Sequence, residues 1–334
     1  MFKNKTIKCF FKIILAIFPF VLSIFISTNG QASKTKTISI GYQSGMPVLT
    51  IAKEKGDLAK TLEKKGYKIT WHYFNSTSDM IDATGNASGI DFGGGGATAS
   101  IFAQASNKDI VNVAAQTGAH HGSAIITRKN SGIKSIKELK GKKVALTKGT
   151  AQQYLLVEAL KKAGLHYSDI KPVYMTPSDA LAAYKKGGQF AAWAIWDPLT
   201  AQAQKSAGTK VLADNESVFG KSTDRQFAAY FFTSATFLKN NRSAVKVIIS
   251  ELKKSATWYR KNPKAAAKLL SKAYNTDFAS LYVAAKRSGS RKIIPVNKQL
   301  LTSYKSQADV FYDLNLISRK INVYDQKYYW DYEK

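Results

Sequence analysis

Val144-Ala145-Leu146-Thr147-Lys148-Gly149-Thr150-Ala151-Gln152-Gln153-Tyr154-Leu155-Leu156-Val157-Glu158-Ala159-Leu160 reads as a short apolar strand, a glycine turn and an amphipathic helix. Leu155, Leu156, Ala159, Leu160 and Ala163 fall on one helical face, and Gly164 stands at its end. A strand feeding a helix through glycine is the repeating unit of α/β architecture. The first N–H groups of such a helix have no partner within it, and the helix dipole favours an anion there. Thr150 stands where a helix cap is expected, and Ala151 and Gln152 can still offer N–H groups to a ligand.

A second junction has a similar form: Ile90-Asp91-Phe92 leads into Gly93-Gly94-Gly95-Gly96-Ala97-Thr98. It lacks the Lys-Ser/Thr continuation of a phosphate-binding P-loop, so nucleotide hydrolysis is not supported. Four glycines fit a flexible turn, or a place where a ligand meets bare backbone. In the second case Thr98 adds a hydroxyl donor near the helix start.

Strands and helices alternate outward from these two points. Strands are expected at Thr37–Tyr42, Tyr67–Phe74, Gly89–Gly93, Ile110–Ala115, Lys142–Leu146, Lys171–Met175, Ala192–Ile195 and Gln226–Thr233. Helices are expected at Pro47–Lys55, Ser78–Thr84, Ala97–Ala105, Ala151–Ala163 and Ser178–Lys186, with Asp197-Pro198 opening another. From Ser243 the pattern is wholly helical: Ser243–Lys261, Pro263–Tyr274, Asp277–Ser288 and Asn297–Leu316. Two α/β halves joined by short crossings near Gln116–Ile125 and Gln226–Phe232 follow, with the helical tail packing back against the first half.

At 334 residues the chain can hold two domains, and a hydrophobic content of 45% supports real cores. Lys3, Lys5, Lys8 and Lys12 precede an apolar run from Ile13 to Ile26, and Gly30-Gln31-Ala32 offers small residues for cleavage. That is the pattern of a secretory signal over residues 1–32. The run is short for a membrane span and Pro19 interrupts it, although an uncleaved anchor stays open. Cys9 is the only cysteine and precedes the run, so it is not a lipidation site, and the mature chain has no thiol chemistry. The formal charge of +28 falls to +24 when the four leader lysines are removed. The remaining lysines are scattered in pairs such as Lys161-Lys162, Lys185-Lys186 and Lys253-Lys254, not gathered into an arm, so nucleic acid is not expected as a partner.

Few residues could carry chemistry. Trp193 and Trp196 lie three positions apart and point to opposite faces of a strand, one to the core and Trp196 to a pocket wall. Asp197 reads as the cap of the next helix ahead of a catalytic carboxylate. His120 and His121 are adjacent, and no further ligand stands at metal spacing. No Ser–His–acid or Cys–His order is present, no cofactor is implied, and an exported chain with two anion cradles reads as a solute catcher, not an enzyme.

Several segments in order carry a resemblance: Ile40-Gly41-Tyr42-Gln43, Gly89-Ile90-Asp91-Phe92-Gly93, Ile101-Phe102-Ala103-Gln104-Ala105, Leu139-Lys140-Gly141-Lys142-Lys143-Val144-Ala145, Tyr154-Leu155-Leu156-Val157, Ala163-Gly164-Leu165, Asp169-Ile170-Lys171-Pro172-Val173-Tyr174 and Trp193-Ala194-Ile195-Trp196-Asp197-Pro198. From about Ile38 to Leu238 the chain resembles the aliphatic sulfonate-binding proteins of ABC importers, within the group that includes taurine and nitrate binders. The resemblance implies a two-lobed periplasmic-binding fold of type II, each lobe a doubly wound α/β sheet flanked by helices, with a helical C-terminal tail. Lobe 1 would take residues 33–123 plus 227–334, and lobe 2 residues 124–226. An alkanesulfonate or similar small anion would bind between the lobes. A monomer, outside the cytoplasm in a periplasm or at the outer face of the cytoplasmic membrane, would deliver it to a membrane permease.

By position, the resemblance places Gln43, Gly95, Gly96, Ala97 and Thr98 at the ligand from lobe 1, and Thr150, Ala151, Trp196 and Asp197 from lobe 2. His121 and Gly122 would sit near the hinge and Arg225 on the closing strand. The chain departs from the family in the pocket walls. The usual Thr-Gly-Asp-Ala-Pro reads Gly95-Gly96-Ala97-Thr98 here, the Gly-Ser-Ser-Ala-His-Tyr loop reads Gly149 to Tyr154, and Ala191 replaces a common aspartate. Two other classes compete: an enzyme on the same fold, which needs a cleft His or Cys, and a basic adhesin, whose binding to acidic polymers salt would abolish.

Overall fold

A computed structural model describes residues 36–119, 121–187, 189–206, 208–220, 229–289 and 291–334. Cys9 and the whole segment 1–32 expected to be a leader, together with His120 and Arg225, lie outside the described residues.

Two sheets organise the chain. The elements run β1 Lys36–Tyr42, α1 Pro47–Lys55, α2 Asp57–Glu63, β2 Tyr67–Tyr73, α3 Thr77–Ala83, β3 Phe92–Gly96, α4 Ala97–Ala105 and β4 Val111–Gln116. They continue with β5 Ser123–Arg128, β6 Lys143–Leu146, α5 Ala151–Lys162, β7 Lys171–Tyr174, α6 Pro177–Lys186, β8 Ala192–Trp196, α7 Leu199–Ser206, β9 Thr209–Asp214 and α8 Asn215–Phe219. The last part is β10 Ala229–Thr233, α9 Ala235–Lys261, α10 Pro263–Tyr274, α11 Phe278–Arg287, β11 Ile293–Ile294 and α12 Lys298–Asp313.

The first sheet has the order β11-β4-β10-β3-β1-β2, and the second β7-β6-β8-β5-β9. β1 is parallel to β2 and β3, and β6 is parallel to β7 and β8. β10 enters the first sheet antiparallel between β3 and β4, and β5 enters the second antiparallel between β8 and β9. The architecture is therefore mixed α/β with helices flanking two sheets. Because β5 already begins at Ser123, the first crossing ends before the expected Ile125. Ala229–Phe232 pair as strand with Gly93–Gly96 and are not a crossing.

Each sheet has its own core. Ile38, Ile40, Phe92, Val113 and Phe231 pack with Leu49 of α1 and with Val245, Ile248, Ile249 and Leu252 of α9. Ile125, Val144, Leu146 and Ala194 pack with Leu155, Leu156 and Leu160 of α5, the helix face expected from its spacing. Burial of such side chains, each worth roughly 1.5–3 kcal/mol, holds each lobe. A third cluster joins Tyr154 of α5 to Tyr230 and to Leu300, Tyr304 and Phe311 of α12. The tail helices thus touch both halves, where the sequence pointed to the first alone. Lys205 of α7 pairs with Asp277 at the start of α11 at 2.9 Å, a second such contact.

α1, α4 and α10 have the expected bounds. α9 starts at Ala235, well before the expected Ser243, because Ser234 Oγ accepts the Phe237 N–H at 3.1 Å and caps it. A non-helical Asn241 kinks the helix where the sequence pattern had its start. α2, β5, β9, α8 and β11 had no counterpart in the sequence reading. Among the described residues, no helix is long and apolar enough to cross a membrane.

Candidate functional site

The carboxyl ends of the parallel strands of both sheets open into one cleft, the usual place for a ligand in α/β folds. The cavity it encloses has a volume of about 200 Å³. The first sheet contributes Gln43 and Gly45 after β1, Ser76 and Thr77 after β2, and Gly95 and Gly96 of β3. The second contributes Thr147 to Gln152 after β6, and Trp196 and Asp197 after β8. Gly118, Ala119 and Gly122 of the crossing and Arg291 between α11 and β11 also line it.

On the first-sheet side, the glycine tract is not a turn. Phe92–Gly96 is strand β3, displaced from the expected Gly89–Gly93, and all but Gly96 are buried. A Cβ on Gly93 would come within 2.6 Å of Met80 Sδ, on Gly94 within 2.8 Å of Phe231, and on Gly95 within 2.2 Å of Thr77 Oγ1. The tract is glycine because neighbouring side chains lie against its backbone; only Gly96 faces open space. Gln43 locks this edge, its Nε2 donating to Thr77 Oγ1 at 2.9 Å and Gly94 O at 3.2 Å. Thr98 lines the cleft, but its hydroxyl donates to Gln307 Oε1 of α12 at 2.9 Å. The role expected of that hydroxyl, a donor to ligand, is thus already filled by a buried tail residue.

The second-sheet side is a true turn. Gly149 has φ +72°, a left-handed conformation that side chains resist, and a Cβ there would lie 3.0 Å from the Phe102 ring. Its N–H donates to Gln153 Oε1 at 2.8 Å. Thr150 occupies the cap position, but its hydroxyl donates to Thr147 O at 2.8 Å and caps no helical N–H. The expected side-chain cap is absent because that hydroxyl closes the turn instead. The N–H groups of Ala151 and Gln152 begin α5 at the cleft lining and have no acceptor one turn back. Gln152 is tied down by Nε2 donating to Ser123 Oγ at 2.8 Å.

At the end of β8 the two tryptophans separate. Trp193 is fully buried in the second-sheet core, and Trp196 lines the cleft with its indole nitrogen 3.2 Å from the place of a Cβ on Gly45. Asp197 has a side chain only 3% exposed. Its Oδ1 accepts the Ala201 N–H at 3.1 Å, tying down the first turn of α7, and meets Arg287 Nη1 at 3.4 Å. Burial pushes this carboxyl up to about 6, against the pull of Arg287 and Arg291. Asp197 Oδ2 and Gln116 Oε1 are buried in the same lining with no hydrogen-bond partner among the described residues.

Of the sequence candidates, Gln43, Gly95, Gly96, Thr98, Gly122, Thr150, Ala151, Trp196 and Asp197 come together in this lining. Ala97 does not; it is buried against Ile101, Tyr154 and Tyr230. His121 turns away to the carboxylates of Asp214, at 2.8 Å from Nδ1, and Glu216, at 3.2 Å from Nε2. Those acids sit on β9 and α8, which the sequence reading lacked, so nothing near His121 announced them. Arg225 lies outside the described residues. Ser76, Thr77, Lys148, Asn215 and Arg291 were missed. Lys148 stood inside the quoted turn and could have been found; Arg291 had no local signal, since only the tail's packing brings it to the cleft. Among the described residues, no group of three or more His, Cys, Asp or Glu could hold a metal ion.

The family model described as NMT1/THI5 like matches residues 63–266. A relative from Escherichia coli (strain K12), bearing the name of an aliphatic sulfonates-binding protein, is 30% identical over 303 residues, covering 91% of this chain and 92% of its own. Two solved structures are similar over most of their length. The alkanesulfonate-binding protein SsuA from Xanthomonas axonopodis pv. citri, bound to MOPS, superposes with a TM-score of 0.80 at 26% identity, covering 90% of this chain and 99% of the other. The periplasmic aliphatic sulphonate binding protein SsuA from Escherichia coli does so with 0.79 at 29% identity, covering 89% and 92%.

Proposed function

The chain belongs to the NMT1/THI5-like family, and from that premise we propose that it is the extracytoplasmic solute-binding subunit of an ABC importer, capturing aliphatic sulfonates for a membrane permease. In this reading residues 1–32 are an export leader, residues 33–123 with 227–334 form one lobe and 124–226 the other. The loaded protein works as a monomer in the periplasm or at the outer face of the cytoplasmic membrane.

The observation that carries the reading is the start of α5 in the cleft. After the Gly149 turn, Ala151 and Gln152 bring the first N–H groups of α5 to the lining, which Lys148 and Arg291 share. A sulfonate is a weakly basic oxyanion that gains from oriented N–H dipoles without needing a dedicated ion pair. Trp196 offers an apolar wall for the carbon chain. The names of the relatives agree with this chemistry.

Thermal unfolding against alkanesulfonates of rising length, taurine, nitrate and sulfate tests the proposal. A ligand at 100 times its Kd adds about 2.7 kcal/mol of stability, a clear shift in Tm. Stabilisation by alkanesulfonates and not by nitrate or sulfate is the expected result; stabilisation by nitrate alone overturns the sulfonate reading.

A further inference from the structure

Ala235–Tyr274, the span of α9 and α10, carries ten Lys or Arg and a single acid, Glu251. Glu251 is buried and already pairs with Lys254 at 2.7 Å. The cations are scattered in sequence, but the helix gathers them. At 100° per residue, Arg242, Lys246, Lys253, Lys254, Arg260 and Lys261 fall within an arc of about 120° on α9, in a stripe roughly 28 Å long. Val245, Ile248, Leu252 and Tyr259 bury the other side of the helix. Successive cations stand about one Debye length apart or less, roughly 10 Å, so their fields add. Lys239, Arg242, Lys246 and Lys261 are exposed and meet no carboxylate among the described residues. Acids at the margin are already engaged: Glu333 with Lys253 at 3.5 Å, Asp331 with Lys334 at 3.9 Å and Asp57 with Lys55 at 3.7 Å. None of the ten cations lines the cleft.

We infer that the α9 stripe docks the protein on an anionic phospholipid bilayer, its cations set against the lipid phosphates. A negatively charged plane complements a row of cations, and each Lys or Arg near such a surface contributes roughly fivefold to partitioning. The exposed residues between the cations, Ser243, Ser250 and Thr257, offer nothing apolar to insert. The attraction is therefore electrostatic and falls with salt. Two half-buried tryptophans flank the stripe: Trp258, its ring 4.7 Å from Lys55 Nζ, and Trp330, its ring 5.9 Å from Lys246 Nζ. Tryptophan beside a basic face suits the headgroup level of a bilayer, which a linear polyanion lacks. Lysine outnumbers arginine eight to two in this span. That mix supplies mobile point charges, where recognition of individual phosphates favours the rigid fork of arginine. The inference stands whichever solute the cleft takes.

Thr35–Lys334 form one compact unit that holds every core described above, so the test uses that chain and the leader segment takes no part. It is sedimented at low salt with vesicles of phosphatidylcholine, alone or with phosphatidylglycerol added. The expected result is binding to the phosphatidylglycerol vesicles only, released by molar salt. Lys239→Gln, Arg242→Gln, Lys246→Gln and Lys261→Gln together lower that partitioning by about a hundredfold or more. Lys137→Gln, Lys140→Gln, Lys161→Gln and Lys185→Gln together remove the same charge from exposed positions of the second-sheet half and lower it by less than about fivefold. All eight changes are at the surface, and an unchanged Tm in both variants shows that the fold is kept. Equal losses in the two variants overturn the inference, because net charge and not the stripe then drives binding. Equal binding to both kinds of vesicle overturns it as well. So does capture of soluble long-chain polyphosphate with no binding to vesicles, which gives the stripe to a linear polymer.

Discussion

The two glycine junctions that look alike in the chain do opposite work. At β6–α5, one glycine turns the backbone and exposes the start of a helix to the cleft. At β3–α4, four glycines form the strand itself, and three of them are small because Met80, Phe231 and Thr77 press against them. Glycine before a helix therefore has two physical meanings, conformational at one site and steric at the other. A backbone angle distinguishes the first; only the neighbours distinguish the second.

The largest expected effect breaks or upholds the steric half. Gly95→Ala places a Cβ against Thr77 and Gln43 and should cost about 3 kcal/mol in urea unfolding, the upper range for overpacking. Gly96→Ala, with nothing within 4 Å, should cost less than about 0.5 kcal/mol. Equal behaviour of the pair would end the close-packing account of the tract.

The third junction, β8–α7, sharpens the comparison through charge. Burial raises the Asp197 carboxyl from 3.8 to about 6, so the folded state holds that proton more tightly than the unfolded chain. The contribution is fully present below about pH 4 and is lost as pH rises through about 6, a change of roughly 2–3 kcal/mol. Wild type measured against Asp197→Asn at pH 4 and pH 7 should show this difference with wild type relatively favoured in acid; a flat difference refutes it.

Gly149→Ala tests the conformational half. The left-handed φ and the nearby Phe102 ring should cost about 1–2 kcal/mol and weaken anion binding together. Loss of stability without loss of affinity would detach the turn from the ligand. Thr150→Ala should cost about 0.5 kcal/mol by thermal unfolding, because its hydroxyl closes a turn and caps nothing. A cost of about 1–2 kcal/mol would restore the capping role.

Much of the fold was legible. The bounds of α1, α4 and α10 and the buried face of α5 follow from spacing, prolines and glycines within a few residues. The short elements β5, β9, α8 and β11 were not, since they take their order from pairing with distant strands or packing on other helices. At the cleft, Trp196 could be placed from local pattern and Gln43 and Gly122 through the family resemblance, whereas Arg291 could not. His121 was drawn away by Asp214, more than ninety positions along the chain.

By itself the sequence determined the alternation of strands and helices, the two sheets' main parallel strands and the amphipathic faces that bury them. These depend on periodicity and on end signals that act over one or two turns. Tertiary structure alone decided which glycines are turn and which are packing, that Thr98 is spent on Gln307, and that Asp197 meets Arg287 beneath the cleft. The last two join groups 90 or more residues apart, and the first rests on steric contact with side chains of other elements; no local pattern encodes either.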